Sequence, residues 1–272
     1  MINLRRAVIR KHNQVMQTCN YISNGEIKCI VLPPSEECVF KNIKWGEYDR
    51  MFTPAYWKAQ ILMCESIHNN IQFKIGSNLY EEVAACILGG YGITAEMGLA
   101  AFEALKNAGI LRSGTNESNL YGKIYDLLSN PVYVNGKAIH YRFAKQRAER
   151  LYSALMKLET EQPPEEDLAF RSWLLGFSGI GPKTSSWITR NWLESNNVAI
   201  IDIHIFRAGT IMGLFQGNEK IDKEYFKLEK LFLSLAQAMN VCAAKIDVII
   251  WSQMRSMNNY GLEKFRKTQA IA

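Results

Sequence analysis

Apolar residues along most of this chain recur at intervals of three and four, the spacing of one helical face. In "TPAYWKAQILMCESIHNNI" Pro54 suits a first helical turn, with Trp57, Ile61 and Cys64 on the apolar side. "SNLYEEVAACILGG" reads as a capped helix, with Ser77 or Asn78 as N-cap and Gly89-Gly90 as its stop. "ITAEMGLAAFEALKNAGIL" follows, capped by Thr94. "YRFAKQRAERLYSALMKLE" is amphipathic, with Arg142, Lys145, Arg147 and Arg150 opposite Phe143, Ala144, Ala148, Leu151 and Leu155. That basic face is either solvated or touches phosphate. Only the N-terminal stretch differs: "GEIKCIVL" alternates enough for a short strand, and "PPSEECVF" breaks it. The pattern predicts a mostly α architecture, with an irregular, short-strand segment over 1–52 and a helical domain over 53–272. Within that domain the acidic, proline-bearing "ETEQPPEEDL" separates two lobes, and a helical cleft between them is the natural active site.

Composition narrows this little. The 272 residues are 48% hydrophobic, enough for a packed core, and 32 Lys+Arg against 26 Asp+Glu give a formal charge of +6, a mild pull toward an anionic partner. Six scattered cysteines form no C-x-x-C pair or His-Cys cluster, so no zinc or iron–sulfur site is expected and the thiols read as reduced. No apolar run approaches the ~18 residues of a membrane span, and "MINLRRAVIRKHNQ" lacks a signal-peptide core. A cytoplasmic (nucleoid-associated) or nuclear monomer is expected.

The chemistry concentrates in "RSWLLGFSGIGPKTSSWITRNW", read as helix, tight turn, helix. Gly179 and Gly181 supply the unusual backbone angles of the reversal, and Pro182 presets the next helix. Such a turn leaves backbone N–H groups pointing outward at the positive end of the helix dipole, where one phosphate fits. Lys183 lies in that first turn, where the dipole repels its charge by about 0.3 to 1 kcal/mol. The repulsion favours a neutral amine, the form that attacks an electrophilic carbon. Nineteen residues later, "IIDIHIF" brings Asp202 to the start of another helix. It is an N-cap by position, and an ionised carboxylate there also stabilises oxocarbenium-like charge during N-glycosidic cleavage.

"GFSGIGPKTSSW" followed by "IIDIHIF" resembles the helix-hairpin-helix-Gly/Pro-Asp DNA glycosylases, most closely their 8-oxoguanine glycosylase branch, whose signature is Gly-Val-Gly-x-Lys and then Val-Asp-Val-His. The likeness is strong over 170–212, looser over 78–160 and 240–256, and absent before residue 70. It implies Lys183 as nucleophile of a bifunctional glycosylase/lyase, Asp202 as catalytic carboxylate, Gly179 and Gly181 in the phosphate-binding hairpin, and His204 near the DNA backbone. It implies double-stranded DNA with a flipped guanine lesion as partner and no cofactor for the chemistry. A monovalent cation held by hairpin carbonyls is also implied.

In "AAKIDVIIWSQMR" Asp247 has no cation at i±3 or i±4, so it needs a partner elsewhere or a ligand. With Trp251 one turn on, it would grip a guanine edge through N1–H and the N2 amino group. Trp187 forms the opposite wall or belongs to the core. The branch has an amide where Asp247 stands, a smaller residue at Trp187 and an amide-rich loop where this chain has "GGYGITAE". In that loop Tyr91 is the expected wedge. Beside excision of 8-oxoguanine with β-elimination stand two alternatives: another modified guanine, RNA or a free nucleotide as substrate, or a non-catalytic nucleic-acid-binding module.

Overall fold

The computed structural model describes residues 15–23, 25–67, 73–90, 92–115 and 118–257. Its contacts divide the chain into two compact units, 1–69 and 70–272. In the first, β1 (Gln17–Ser23) and β2 (Glu26–Leu32) pair antiparallel from Gln17↔Leu32 to Ser23↔Glu26. Alternation along β2 buries Ile30 and Leu32 and exposes Ile27 and Val31. An isolated hairpin is marginal in water, and here α1 (Pro54–Ile67) packs against both strands. β3 (Cys38–Phe40) and β4 (Ile43–Lys44) make a second, shorter pair. The Gln17 amide ties the loops, donating to Pro33 O at 2.7 Å and Gly46 O at 2.9 Å and accepting the Tyr48 N–H at 2.9 Å.

The expected boundary after residue 52 differs from this division, which keeps α1 with the strands. Trp57 is fully buried and stacks obliquely on buried Phe52, ring centroids 5.7 Å apart. Helical periodicity tells which face of α1 is apolar, not which neighbour covers it.

The second unit holds α2 (Leu79–Leu88), α3 (Ala95–Asn107), α4 (Leu120–Ser129), a hairpin of β5 (Val132–Val134) and β6 (Lys137–Ile139), α5 (Ala144–Thr160), α6 (Asp167–Leu174), α7 (Pro182–Leu193), α8 (Ile203–Ile211), α9 (Ile221–Ala238) and α10 (Ala243–Ser256). The mostly helical expectation with a small N-terminal β region holds. No single described helix is long and apolar enough to cross a membrane. The β5–β6 hairpin was not foreseen; Asn135 and Gly136 turn it at φ +50° and +76°, the angles of the tightest hairpin turns. The acidic connector does not mark the border of a core, because Phe170 and Leu174 of α6, just beyond it, join the same apolar cluster as Val83, Phe102, Leu128 and Leu155. An exposed acidic stretch marks a surface loop, and the residues flanking it decide which core each side enters.

α2, which leads to the site, is capped by Asn78 rather than Ser77: its side chain accepts the Glu81 N–H at 3.0 Å, while Glu81 Oε2 accepts the Ser77 N–H at 2.8 Å. Both donors would otherwise lack partners. Asn78→Ala is expected to lower unfolding free energy by about 1 kcal/mol in urea titration.

Candidate active site and nucleic-acid interface

The hairpin joins α6 to α7 through residues 175–181, a longer reversal than the tight turn expected from the glycines. Backbone bonds from Gly176 N to Trp173 O and from Ile180 N to Phe177 O, 3.0 and 3.1 Å, shape it. Only Gly179 has the left-handed backbone foreseen for both glycines, at φ +78°. Gly181 is extended, at φ −95° and ψ −177°, and a Cβ there would meet nothing within 4 Å. Its contribution is open space at the head of α7, not an unusual angle. At Gly179 a Cβ would overlap the aliphatic stem and Nε of Arg150, which lies across the turn.

Arg150 belongs to the basic face of α5, part of which is structural. Arg147 is buried and donates to Ile87 O at 2.8 Å. Lys157 donates to Gly176 O at 3.1 Å, with its ammonium 4.8 Å from the Phe177 ring centre. A monovalent cation would need several hairpin carbonyls converging on one point. Here one hairpin carbonyl, Gly176 O, is already engaged by the Lys157 ammonium. Among the described residues no group of His, Cys, Asp and Glu could hold a metal ion.

Lys183 follows Pro182 in the first turn of α7 and is half-buried. Among the described residues its amine has neither a hydrogen bond nor an ion pair. It lies within electrostatic reach of Cys86 on α2, whose thiol burial pushes well above its ordinary range while Arg190 and Lys183 draw it down. Asp202 caps α8, as its position suggests: Oδ1 accepts the His204 and Ile205 N–H groups at 2.8 and 2.9 Å. Oδ2 accepts no hydrogen bond from the described residues. His204 is half-buried, and its Nδ1 is buried without a partner.

Asp247 is not the free base reader expected from the apolar run around it. It is 3% exposed, and Oδ2 accepts from Arg190 Nη1 at 3.2 Å and the Ile200 N–H at 3.3 Å. The cation comes from α7, distant in sequence, where periodicity on α10 alone could not reveal it. Arg190 continues the chain of bonds to Asn191 Oδ1 at 2.9 Å, and Asn191 donates to Glu82 Oε1 at 2.7 Å. Burial raises the Asp247 carboxyl to about 7; Arg190 draws it down and Asp202 pushes it further up. Arg190 and Lys183 thus both lie within electrostatic reach of Cys86, and Arg190 and Asp202 both within reach of Asp247.

The glycine-rich stretch after α2 gathers the aromatic residues. A Cβ at Gly89 would lie 3.2 Å from the Trp187 ring, and one at Gly92 would lie 3.4 Å from Phe143. Bulky Trp187 and the small residue at 89 are therefore one complementary pair, and Trp187 packs on the core instead of standing clear as a pocket wall. Trp251 is half-buried, with the Arg255 guanidinium 4.8 Å from its ring centre, and Arg255 bridges to Glu96 at the start of α3. Tyr91 lies outside the described residues. Phe143, expected on the apolar side of α5, instead caps that helix at φ +68°, 41% exposed, with Arg142 stacked 4.7 Å from its centre. Such a conformation is uncommon for a non-glycine residue, and no local sequence signal announces it.

A family model described as 8-oxoguanine DNA glycosylase matches residues 66–241. The 8-oxoguanine DNA glycosylase/AP lyase of Metallosphaera sedula is 29% identical over 180 residues, 63% of this chain and 79% of that protein. The crystal structure of the Thermotoga maritima 8-oxoguanine DNA glycosylase is similar at TM-score 0.53 and 20% identity, covering 72% of this chain and 94% of its own. The Methanocaldococcus jannaschii 8-oxoguanine DNA glycosylase gives TM-score 0.51 at 21% identity, over 75% and 88%. At such identities the structural likeness bears on the fold.

Two outcomes follow from this geometry. The folded Asp247 carboxyl titrates near 7 against 3.8 for a free aspartate, so the native state holds the extra proton between those values. Its contribution to stability is present below about pH 4 and declines as pH rises to about 7. Urea titrations across that window should show the slope in the wild type and lose it in Asp247→Asn, whose side chain does not titrate. Gly89→Val should cost about 1 to 3 kcal/mol by overpacking against Trp187. In a double-mutant cycle Trp187→Leu should recover some of that loss.

Proposed function

The chain belongs to the 8-oxoguanine DNA glycosylase family, and from that premise we propose that it excises oxidised guanine from double-stranded DNA and then cleaves the abasic strand. The observation that carries the reading is Lys183: a half-buried amine with no partner among the described residues, at the head of the helix that a glycine hairpin opens. The hairpin offers backbone N–H groups to one phosphate without reading sequence. His204, with an unsatisfied buried ring nitrogen, supports a further polar contact to the DNA backbone.

The amine nitrogen of Lys183 forms a bond to C1′ as the N-glycosidic bond breaks and the base departs with its electron pair, taking up a proton. Asp202 stabilises the positive charge that develops on the sugar. Because Oδ1 is engaged in capping α8, Oδ2 is the oxygen assigned to that charge. The aminal opens to a Schiff base, which acidifies C2′; loss of a C2′ proton then expels the 3′ phosphate, and hydrolysis frees the lysine. Phe143, exposed beside the glycine-rich stretch, is assigned to the gap that the extruded base leaves. Trp251 is assigned to stacking on the base.

Pairing of Asp247 with Arg190 removes the carboxylate expected at the guanine edge. That observation keeps open a second reading, the same chemistry on another modified guanine, RNA or a free nucleotide.

Borohydride reduction during incubation with an 8-oxoguanine duplex should trap a covalent protein–DNA adduct. Lys183→Gln should abolish it, and Asp202→Asn should slow base release by about 100-fold or more. Absence of any adduct across a panel of modified-guanine DNAs, with binding intact, would mean a non-catalytic module. Release from RNA or nucleotides but not from duplex DNA would favour the second reading.

A further inference from the structure

Residues 199–201 lead into Asp202 without belonging to a helix or strand, yet they lie against the core and their backbone groups are held from outside the segment. The Ala199 N–H donates to Glu229 Oε1 at 3.0 Å, and Ala199 O accepts from the Tyr225 hydroxyl at 2.8 Å. The Ile200 N–H donates to Asp247 Oδ2 at 3.3 Å, and the Ile201 N–H donates to the Tyr225 oxygen at 3.2 Å. Ile200 O accepts from the N–H of Asp202 itself, at 3.0 Å. A single tyrosine oxygen thus fixes the backbone on both sides of Ile200.

Each of these side chains is anchored in turn. Glu229 Oε1 accepts from Ser186 Oγ at 2.9 Å, and Oε2 is paired with Arg171 at 2.5 Å. Asp247 is paired with Arg190. Ser186 and Arg190 both lie on α7, the helix that Lys183 opens. Burying this much polar surface costs free energy that apolar packing would not, so core stability alone gives little reason for it.

We infer that Tyr225, Glu229 and Asp247 are positioning residues that lock the Asp202 segment to the helix carrying Lys183, fixing where the carboxylate stands relative to the amine. The inference rests on the glycosylase/lyase reading above. Misplacement of a charge-stabilising group by about 1 Å costs on the order of 100-fold in rate, so the effect should concentrate in base excision, where positive charge develops on the sugar. A pre-formed abasic site presents an open aldehyde to the lysine and depends less on that charge stabilisation.

The test measures, with the full chain, single-turnover excision from an 8-oxoguanine duplex and borohydride trapping on a pre-formed abasic duplex. Tyr225→Phe keeps the ring and removes the oxygen that bridges residues 199 and 201. Its ratio of excision to trapping rate is expected to fall about 10-fold or more below wild type. Partial unfolding lowers both rates in proportion and leaves the ratio unchanged, so a merely structural role does not move it. An unchanged ratio, whether both rates persist or fall together, overturns the inference. Asp247→Ala, which strips the Ile200 N–H of its acceptor, decides by the same ratio if Tyr225→Phe yields no folded protein. A wild-type chain that neither excises nor traps removes the glycosylase/lyase reading itself, a result distinct from an active wild type with unmoved variants.

Discussion

The architecture around the candidate site depends on the burial of one ion pair, Arg190 with Asp247. Two charges taken from water are costly unless each finds further hydrogen bonds. Here the guanidinium also meets Asn191 and the carboxylate also meets the Ile200 backbone. Through Asn191 the chain of bonds reaches Glu82 on α2, whose other oxygen accepts the Ile75 and Gly76 N–H groups at 2.7 and 2.9 Å. A polar thread therefore runs from the entry of α2 through α7 to α10. Packing of apolar side chains tolerates small slides between helices, whereas hydrogen bonds of fixed length and direction do not.

Aromatic packing supplies the complementary constraint. Trp187 fills the space beside Gly89, where a Cβ would come within 3.2 Å of its ring, and a Cβ on Gly98 would lie 3.3 Å from the Gly89 backbone. The end of α2, the start of α3 and the body of α7 are thereby brought into close register. Gly89 is thus matched to the tryptophan, whereas Gly90 and Gly92 supply the positive φ angles of the loop. Arg255, stacked on Trp251 and bridged to Glu96, joins the end of α10 to the same place.

The basic character of α5 has a similar explanation. Arg147 satisfies a carbonyl at the end of α2, while Arg150 and Lys157 hold the hairpin at Gly179 and Gly176. Charge on an amphipathic helix indicates where water or an anion is tolerated. It does not distinguish those from a backbone carbonyl supplied by a neighbouring loop.

Local patterning alone was enough to reveal most of the helices, though not α4, together with the caps at Thr94 and Asp202, the hairpin ahead of α7 and the spacing of Lys183 to a later aspartate in the motif. Those features are written in short-range spacing, which is why a family resemblance could be recognised in a single chain. Tertiary structure decided what each side chain meets. It gave Asp247 a cation from another helix, set Trp187 against Gly89 and turned Phe143 outward. It also placed α1 with the N-terminal strands and joined α6, beyond the acidic connector, to the core of the helices before it. The physical reason is the same in every case: periodicity along one element specifies which face is apolar or charged, and only the folded chain specifies the partner that covers it.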